Sequence, residues 1–499
     1  MKRTIHGAVE AINFYIRFGR LRRYNPLVAG FISLFVVAAL TGCPDSAGPR
    51  PAPALEAVGS GNWEDLDGLS GASVLRMPDR RTFVYAGGGD FQKSYTLKAV
   101  DVANPTETKH SERIGYNAAV MQVNNVEGTI AVIAGNRNDE DSEYVDVKLQ
   151  IYNSSLTKLK EFDFGDTSAA TQAKKGANGQ YQFTTLFDET RGASLAIGDK
   201  YAAIIWLDDN DTWTVQGGRG ATKQAYVGIY NIATGASKHF QMLTPTGGAA
   251  PGNALATSGI GSPSSLATRG NYLIVGGAVG SAAFSIADDL SLTRVVANDN
   301  KPSHWMRDNG SYVMDSAIAT VKAWKWNGAS APTCKVIDGM GEGAAQNRGY
   351  LRIWSTDPDD PKTAYSYSKN MTTGNGVYKL DLDAGTKTFL FSPSYPDRDN
   401  GGDYYTPSPW GIDVFKKGSD TWFILAGGAS GTNLATVVAL RNPSTKGETI
   451  KVTPDWSLAL GESVHIVKAL TSNGKFFMVA RDDTEDSGED PQLYLHEFE

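Results

Sequence analysis

The side chains that could do chemistry are few and widely separated along this 499-residue sequence. It contains six histidines, but no Gly-x-Ser-x-Gly elbow, phosphate-binding loop or His-Glu-x-x-His motif accompanies them. Pairs of catalytic carboxylates cannot be recognised by spacing when they come from distant segments. We therefore assign no catalytic residue. Five residues near the starts of apolar runs are candidates for a polar binding surface: His304, Trp305, Arg348, Trp410 and His465.

Acidic residues are concentrated in three short runs, the first of which is at 139–143. The other two runs contain carboxylates whose close spacing suits calcium: Asp208, Asp209, Asp211, Asp482, Asp483 and Asp486. Neither run matches the twelve-residue EF-hand pattern. The alternative interpretation is that these runs are solvated loops that keep the protein soluble. We therefore expect no cofactor, unless one of these runs binds calcium.

An aromatic and acidic segment extends from Ser394 to Trp410 and contains Tyr395, Tyr404 and Tyr405. Aromatic faces next to carboxylates and amides are what a carbohydrate or peptide binder needs. Exposed tyrosines can also simply pack a loop onto its scaffold. We include the three tyrosines and Trp410 among the candidate binding residues.

The N-terminus has the features of an export signal. Residues 1–26 carry six basic residues against one acidic residue, and an apolar run without charge follows at 27–40. This run is too short to span a bilayer, which takes about 20 residues, but it suits the apolar region of a signal peptide. The next residues, Leu40-Thr41-Gly42-Cys43, resemble the lipobox of bacterial lipoproteins.

That resemblance implies a signal peptide at 1–42 and lipidation of Cys43, so that acyl chains anchor the protein in the outer or cytoplasmic membrane of the cell envelope. The alternatives are an uncleaved N-terminal anchor and an ordinary signal peptide. Loss of residues 1–42 would change the formal charge from −7 to about −12, which disfavours nucleic acid as a partner. We expect a Pro-, Ala- and Gly-rich tether at 43–61 and one folded domain at 62–499. The second cysteine, Cys334, lies in an apolar run and is expected to be buried.

The body of the chain is predicted to be all-β. Short apolar runs rich in Val, Ile, Tyr, Phe and Trp alternate with turns that contain Gly, Asn and Asp. Three of these runs end in a glycine pair: Phe83–Gly88, Tyr272–Gly277 and Trp422–Gly428. Similar units recur about every 56 residues, with the second strand of each unit expected near residues 85, 132, 204, 274, 313, 366, 425 and 478.

The glycine-pair ending resembles the kelch repeat, and this resemblance implies a single β-propeller. We expect eight four-stranded blades, although seven would also fit, and two tandem β-sandwiches are the alternative. The last unit has only three strands before the chain ends, so the segment 62–66 is predicted to complete it and to close the ring. The polar candidates named above would then line a central channel.

Loop lengths indicate where function would lie. In a propeller, the connections between strands two and three and between consecutive blades emerge on one side, and the long insertions of this chain fall there. We call this side the loop-rich face. We expect a monomer that binds an envelope protein or a glycan there without catalysis. The alternative is an envelope hydrolase or lyase acting on carbohydrate at the mouth of the channel.

Overall fold

A computed structural model describes most of the predicted domain. It covers residues 56–60, 74–87, 95–101, 104–115, 117–138, 143–163, 195–207, 225–242, 254–255, 260, 263–277, 279–298, 303, 305–316, 320–338, 354–357, 359–368, 376–396, 404–405, 408–428, 435–443, 449–451, 456–459, 469–472, 475–480 and 492–497. Every regular element within these ranges is a β-strand. The all-β prediction is therefore confirmed.

The strands form eight sheets, which we number as blades in chain order. The first strand is β1 (Glu56–Ser60). Blade 1 consists of β2 (Val74–Arg76), β3 (Thr82–Gly87), β4 (Tyr95–Asp101) and β5 (Asn104–Gly115). Blade 2 consists of β6 (Asn117–Val123), β7 (Ile130–Asn138), β8 (Glu143–Tyr152) and β9 (Lys158–Asp163). Blade 3 consists of β10 (Leu195–Ile197), β11 (Tyr201–Leu207), β12 (Ala225–Asn231), β13 (Ser237–Met242) and β14 (Ala254–Leu255).

The next two blades have four strands each. Blade 4 consists of β15 (Pro263–Arg269), β16 (Tyr272–Gly277), β17 (Ser281–Ile286) and β18 (Leu292–Asn298). Blade 5 consists of β19 (Trp305–Asp308), β20 (Tyr312–Ser316), β21 (Thr320–Asn327) and β22 (Ser330–Asp338).

Among the last three blades, blades 6 and 8 each include a strand from another part of the chain. Blade 6 consists of β23 (Trp354–Thr356), β24 (Thr363–Ser368), β25 (Gly376–Asp381), β26 (Thr386–Pro396) and β27 (Tyr404–Tyr405). Blade 7 consists of β28 (Ser408–Lys417), β29 (Asp420–Gly428), β30 (Ala435–Arg441) and β32 (Trp456–Ala459), while β31 (Thr449–Lys451) pairs with β26 of blade 6. Blade 8 consists of β33 (Ala469–Ser472), β34 (Lys475–Ala480) and β35 (Gln492–Glu497), completed by β1.

The sheets are arranged as the blades of one propeller. Successive strands within each blade pair antiparallel, except that β14 pairs parallel with β13 in blade 3, and the first strand is the innermost. First strands of adjacent blades lie against one another, with β6 between β2 and β10, β15 between β10 and β19, and β28 between β23 and β33. All eight predicted positions of strand two fall inside β3, β7, β11, β16, β20, β24, β29 and β34, respectively. The prediction of eight blades is confirmed.

The last blade is completed by the N-terminal strand, as predicted, but by a different segment. Strand β1 pairs antiparallel with β35, and Glu56 lies opposite Leu495. The closing strand is therefore Glu56–Ser60, inside the segment 43–61 that we predicted as tether, and not 62–66, which lies outside the described residues. The error arose because 56–60 contains only one β-branched residue, Val58, so that its strand conformation depends on the partner strand rather than on its own sequence.

The core consists of apolar layers between neighbouring blades. Strand two of a blade is covered on both faces, which explains its continuous apolar sequence: Ile130 to Ala134 are all at most 1% exposed. Blades 1 and 2 share one apolar cluster, blades 4 and 5 another, blades 5 and 6 a third, and blades 6 and 7 a fourth. Cys334 lies at the edge of the cluster between blades 4 and 5 and is only partly buried, contrary to our prediction.

The turns between strands three and four use the residues that the sequence suggested. The side-chain oxygen of Asn231 accepts hydrogen bonds from the backbone N–H groups of Ala233 and Thr234, and Asp381 binds the corresponding turn of blade 6 in the same way. Gly235 supplies the positive φ of +79° that ends the turn of blade 3. These turns are therefore fixed by local chemistry.

One glycine of the repeated pair is required by close packing. A Cβ atom on Gly276 would lie 2.0 Å from Ser303 Oγ and 2.4 Å from Ser265 Oγ. These two hydroxyl groups hydrogen-bond each other at 2.7 Å and are both fully buried. The glycine at the end of strand two therefore makes room for a serine that leads into blade 5.

We predict that Gly276→Ala lowers the free energy of unfolding by about 1–3 kcal/mol, because the new methyl group overpacks this buried junction. Urea unfolding measures the change. Adding Ser303→Gly to the variant removes the closest atoms and should restore a large part of the loss. Strict additivity of the two substitutions would contradict the packing explanation.

Candidate functional site

Most of the residues that the sequence singled out lie outside the described parts of the chain. These are His304, Arg348, His465 and all six candidate calcium ligands: Asp208, Asp209, Asp211, Asp482, Asp483 and Asp486. Within the described ranges no group of three or more His, Cys, Asp or Glu residues is placed to hold a metal ion. The calcium hypothesis therefore stays a prediction.

The aromatic candidates fall on two different parts of the propeller. Tyr395 lies opposite Tyr405 in the pairing of β26 with β27, so the backbone brings the three tyrosines together at the outer edge of blade 6. Trp410 lies on β28, the inner strand of blade 7, and Trp305 begins β19, the inner strand of blade 5. The two tryptophans are thus on strands that surround the channel, whereas the tyrosines are not.

The described residues reveal a charged cluster near the opposite end of the channel, where strand one of each blade turns into strand two. Arg76 Nη1, at the end of β2, lies 2.7 Å from Asp413 Oδ2 on β28. The other oxygen, Asp413 Oδ1, accepts hydrogen bonds from the Ser355 hydroxyl of β23 and from the Val414 amide. Asp413 is only 4% exposed. Blades 1, 6 and 7 therefore meet at one carboxylate.

Two more arginines belong to this cluster. Arg307 on β19 interacts electrostatically with Arg76 and Asp413, although blade 5 lies across the ring from blade 1. Burial and then the charge of Arg76 lower the pKa of the Arg307 guanidinium, yet the side chain is exposed to solvent. Burial and Arg76 also lower the pKa of Arg80, in the turn that follows β2, and Asp413 partly offsets the effect.

A second contact bridges the same end of the channel. The turn between β6 and β7 of blade 2 reaches blade 5, where Asn125 Nδ2 donates to the backbone oxygen of Asp308. The Asp308 carboxylate accepts hydrogen bonds from the Gly310 amide at 2.7 Å and from Trp326 Nε1 at 3.1 Å, and Arg269 Nη2 lies 3.4 Å away. Burial nevertheless raises the pKa of Asp308. Polar contacts thus join blades 2, 4 and 5 here.

The arginines of this cluster are suited to pairing with negative charge rather than to transferring protons. Guanidinium groups stay charged at all physiological pH values and offer planar pairs of N–H donors that match carboxylate and phosphate oxygens. The one carboxylate among them already accepts hydrogen bonds on both oxygens. Our sequence reasoning missed these residues, although Arg76, Arg307 and Asp413 are charged residues in strand one of three units, a pattern that was visible in the sequence.

A separate buried ion pair lies between blades 4 and 5, toward the loop-rich face. Lys322 Nζ and Asp315 Oδ2 are 3.0 Å apart, and both side chains are completely buried. Lys322 also donates to Ser281 Oγ of blade 4 at 2.7 Å. The second carboxylate oxygen, Asp315 Oδ1, has no hydrogen-bond partner among the described residues. In the pairing of β19 with β20, Ser316 lies opposite Trp305 and Asp315 lies opposite Met306.

Comparisons with known proteins find only distant structural similarity. No protein-family model matches the chain, and no curated protein matches it significantly. Among solved structures, the computationally designed protein Ika8 has a TM-score of 0.40 at 9% identity, covering 88% of this chain and 99% of that one. AztD from Citrobacter koseri has a TM-score of 0.38 at 11% identity, covering 79% and 90%.

An oligogalacturonate lyase in complex with manganese has a TM-score of 0.38 at 9% identity, covering 90% of this chain and 95% of that one. Similarities this low indicate neither a ligand nor an activity. The assignment of the fold rests on the eight sheets themselves.

We predict that Lys322→Met lowers the free energy of unfolding by about 3–5 kcal/mol, because it leaves the Asp315 carboxylate buried without its counter-ion. The double variant Lys322→Met/Asp315→Asn removes both charges and should recover more than half of that loss. Lys148→Met, which breaks the partly exposed pair with Glu161, should change stability little. Urea unfolding compares the three variants, and a double variant no more stable than Lys322→Met would contradict the prediction.

Proposed function

We propose that this protein is a lipid-anchored binding propeller of the bacterial cell envelope. It presents the loop-rich face to an envelope protein or a glycan and does not act as an enzyme. The observation that carries the proposal is the unequal length of the connections on the two sides of the ring.

The connections on the loop-rich side are long. Strands β9 and β10 are separated by residues 164–194, β11 and β12 by 208–224, and β22 and β23 by 339–353. On the other side, the turns between strands one and two are as short as two residues, as between β15 and β16. Long connections on a rigid scaffold are where binding residues usually collect.

The side with short turns is tied together between blades. Gly270 of blade 4 donates its backbone N–H to Asp199 of blade 3 at 2.7 Å, and Lys200 Nζ donates to Asn271 Oδ1 at 2.9 Å. Asn309 of blade 5 donates to the backbone oxygen of Pro361 of blade 6 at 3.0 Å. These bonds hold the scaffold from which the loops of the other face extend.

Lipidation of Cys43 would supply the membrane anchor. Twelve residues separate Cys43 from the first strand, and an extended chain of that length reaches at most about 40 Å. The propeller would then stay close to the membrane surface. Among the described residues there is no helix of the length and apolar character that crossing a membrane requires.

We predict that Cys43→Ser releases the protein from the membrane, because acyl chains can no longer be attached. Cell fractionation followed by immunoblotting measures the distribution, with the unchanged chain as the control. Retention of the variant in the membrane fraction would contradict lipid anchoring at this cysteine.

We predict that Tyr404→Ser/Tyr405→Ser weakens ligand binding at least about tenfold, since each aromatic ring contributes about 1 kcal/mol or more to such contacts. The probes are a glycan array and a detergent extract of bacterial envelopes, with His304→Ala/His465→Ala as the comparison variant. Binding lost only in the histidine variant, together with turnover of a glycan, would favour the hydrolase or lyase alternative and overturn the proposal.

A further inference from the structure

Blade 8 shows from which side the N-terminal strand enters the propeller. The turn between its strands one and two, where Ser472 of β33 lies opposite Lys475 of β34, is on the side opposite the loop-rich face. We call that side the short-turn face. Lys475 also lies opposite Glu497, so β35 runs from the loop-rich face toward the short-turn face.

Strand β1 runs in the other direction. It pairs antiparallel with β35, and Glu56 lies opposite Leu495 while Ser60 lies opposite Gln492. The strand therefore begins near the short-turn face and ends at the loop-rich face. Residues 61–73 then connect it to β2, the inner strand of blade 1. The residues that precede Glu56 consequently join the propeller on its short-turn face.

The side of entry is important because the predicted anchor is close to it in the sequence. Twelve residues separate Cys43 from Glu56. A flexible chain of that length has a root-mean-square span of about 20 Å. A blade is taller than that span, because a nine-residue strand such as β29 is about 25–30 Å long. If the loop-rich face lay against the bilayer, the chain would have to run back along the blade and past the long loops.

We propose that the short-turn face of the propeller is directed toward the membrane and that the loop-rich face points into the aqueous compartment. This proposal rests on the lipid anchor at Cys43 proposed above. The headgroup surface of the bilayer is then the neighbour of the short-turn face. The partner of the loop-rich face approaches from the aqueous side and not from within the same membrane.

The charges of the short-turn face agree with an orientation that is set by the tether. Lys416 Nζ lies 3.4 Å from an oxygen of Asp357 and 2.6 Å from one of Asp359, and Lys325 Nζ lies 2.7 Å from Asp383. Lysines that are paired in this way add little attraction to anionic lipid headgroups. The point of attachment, rather than a basic patch, therefore holds this face near the bilayer.

Two exposed valines provide matched positions for fluorescent labels. Val126 is 58% exposed in the turn between β6 and β7, on the short-turn face, and Val279 is 46% exposed between β16 and β17, on the loop-rich face. Val126→Cys and Val279→Cys are each combined with Cys334→Ser. Each acylated protein then has one free thiol, because the chain contains no cysteine besides Cys43 and Cys334.

The test is energy transfer from each label to a headgroup-labelled lipid in vesicles of phosphatidylethanolamine and phosphatidylglycerol. We expect transfer to be at least about twofold more efficient from position 126 than from position 279, because roughly the height of a blade separates the two labels. Equal transfer from the two positions, or stronger transfer from position 279, would overturn the proposal.

A longer tether tests the cause of the orientation. Insertion of about thirty Gly and Ser residues between Pro51 and Ala52 raises the span of a flexible chain to about 35 Å, so that either face can approach the bilayer. The difference in transfer between the two labels should then fall by at least about half. An undiminished difference would also overturn the proposal, because the tether would not be what orients the propeller.

Vesicle flotation distinguishes a failure of this proposal from a failure of the lipid anchor. Cys43→Ser should not float with the vesicles, whereas the acylated chain should. If Cys43→Ser floats as well, the anchor is wrong, and the orientation that rests on it is wrong too. If only the acylated chain floats but the two labels transfer equally, the anchor is supported and the orientation alone is overturned.

Discussion

The structure depends on apolar contacts between the faces of neighbouring blades. A sheet that is apolar on both faces has to pack against another sheet on each face. In a row of such sheets, the outer faces of the two end sheets are covered only when the row closes into a ring. The pairing of β1 with β35 accomplishes this, because it gives the last blade its fourth strand from the other end of the domain. It also covers the strand edge that an open ring would expose. Closure by the N-terminal strand thus supports every interface between blades.

The same burial determines where charge can be tolerated. Lys322 and Asp315 are completely buried between blades, so their charges have to pair with each other, and Ser281 and Trp324 supply further hydrogen bonds. Near the inner strands, the Asp413 carboxylate is likewise almost fully buried, and it pairs with Arg76 of blade 1.

Sequence patterns predicted the repeated parts of the fold well and the irregular parts poorly. Strand two of each unit was recognisable because its apolar run is a direct consequence of burial on both faces, as in Ile130 to Ala134. The turn at Asn231 was recognisable because an asparagine side chain binds its own backbone. The closing strand 56–60 was misplaced, and strands β14, β27 and β31 were not expected, since short strands form only where a partner offers a free edge. Cys334 was expected to be buried, but its strand lies at the outer edge of blade 5.

From the sequence alone followed the all-β class, the positions of strand two in each unit and the residues of the turns, because each of these depends on interactions between residues close together in the chain. The choice of eight blades over seven, in contrast, came from the eight sheets. The sequence also carried the lipobox-like motif that predicts the anchor at Cys43. Arg76, Arg307 and Asp413 come near one another only in the tertiary structure. The two residues of the ion pair, Arg76 and Asp413, are 337 positions apart in the sequence. No local sequence pattern predicts such a long-range contact. It is produced by the curvature of the ring, which places the inner strands of distant blades around one channel.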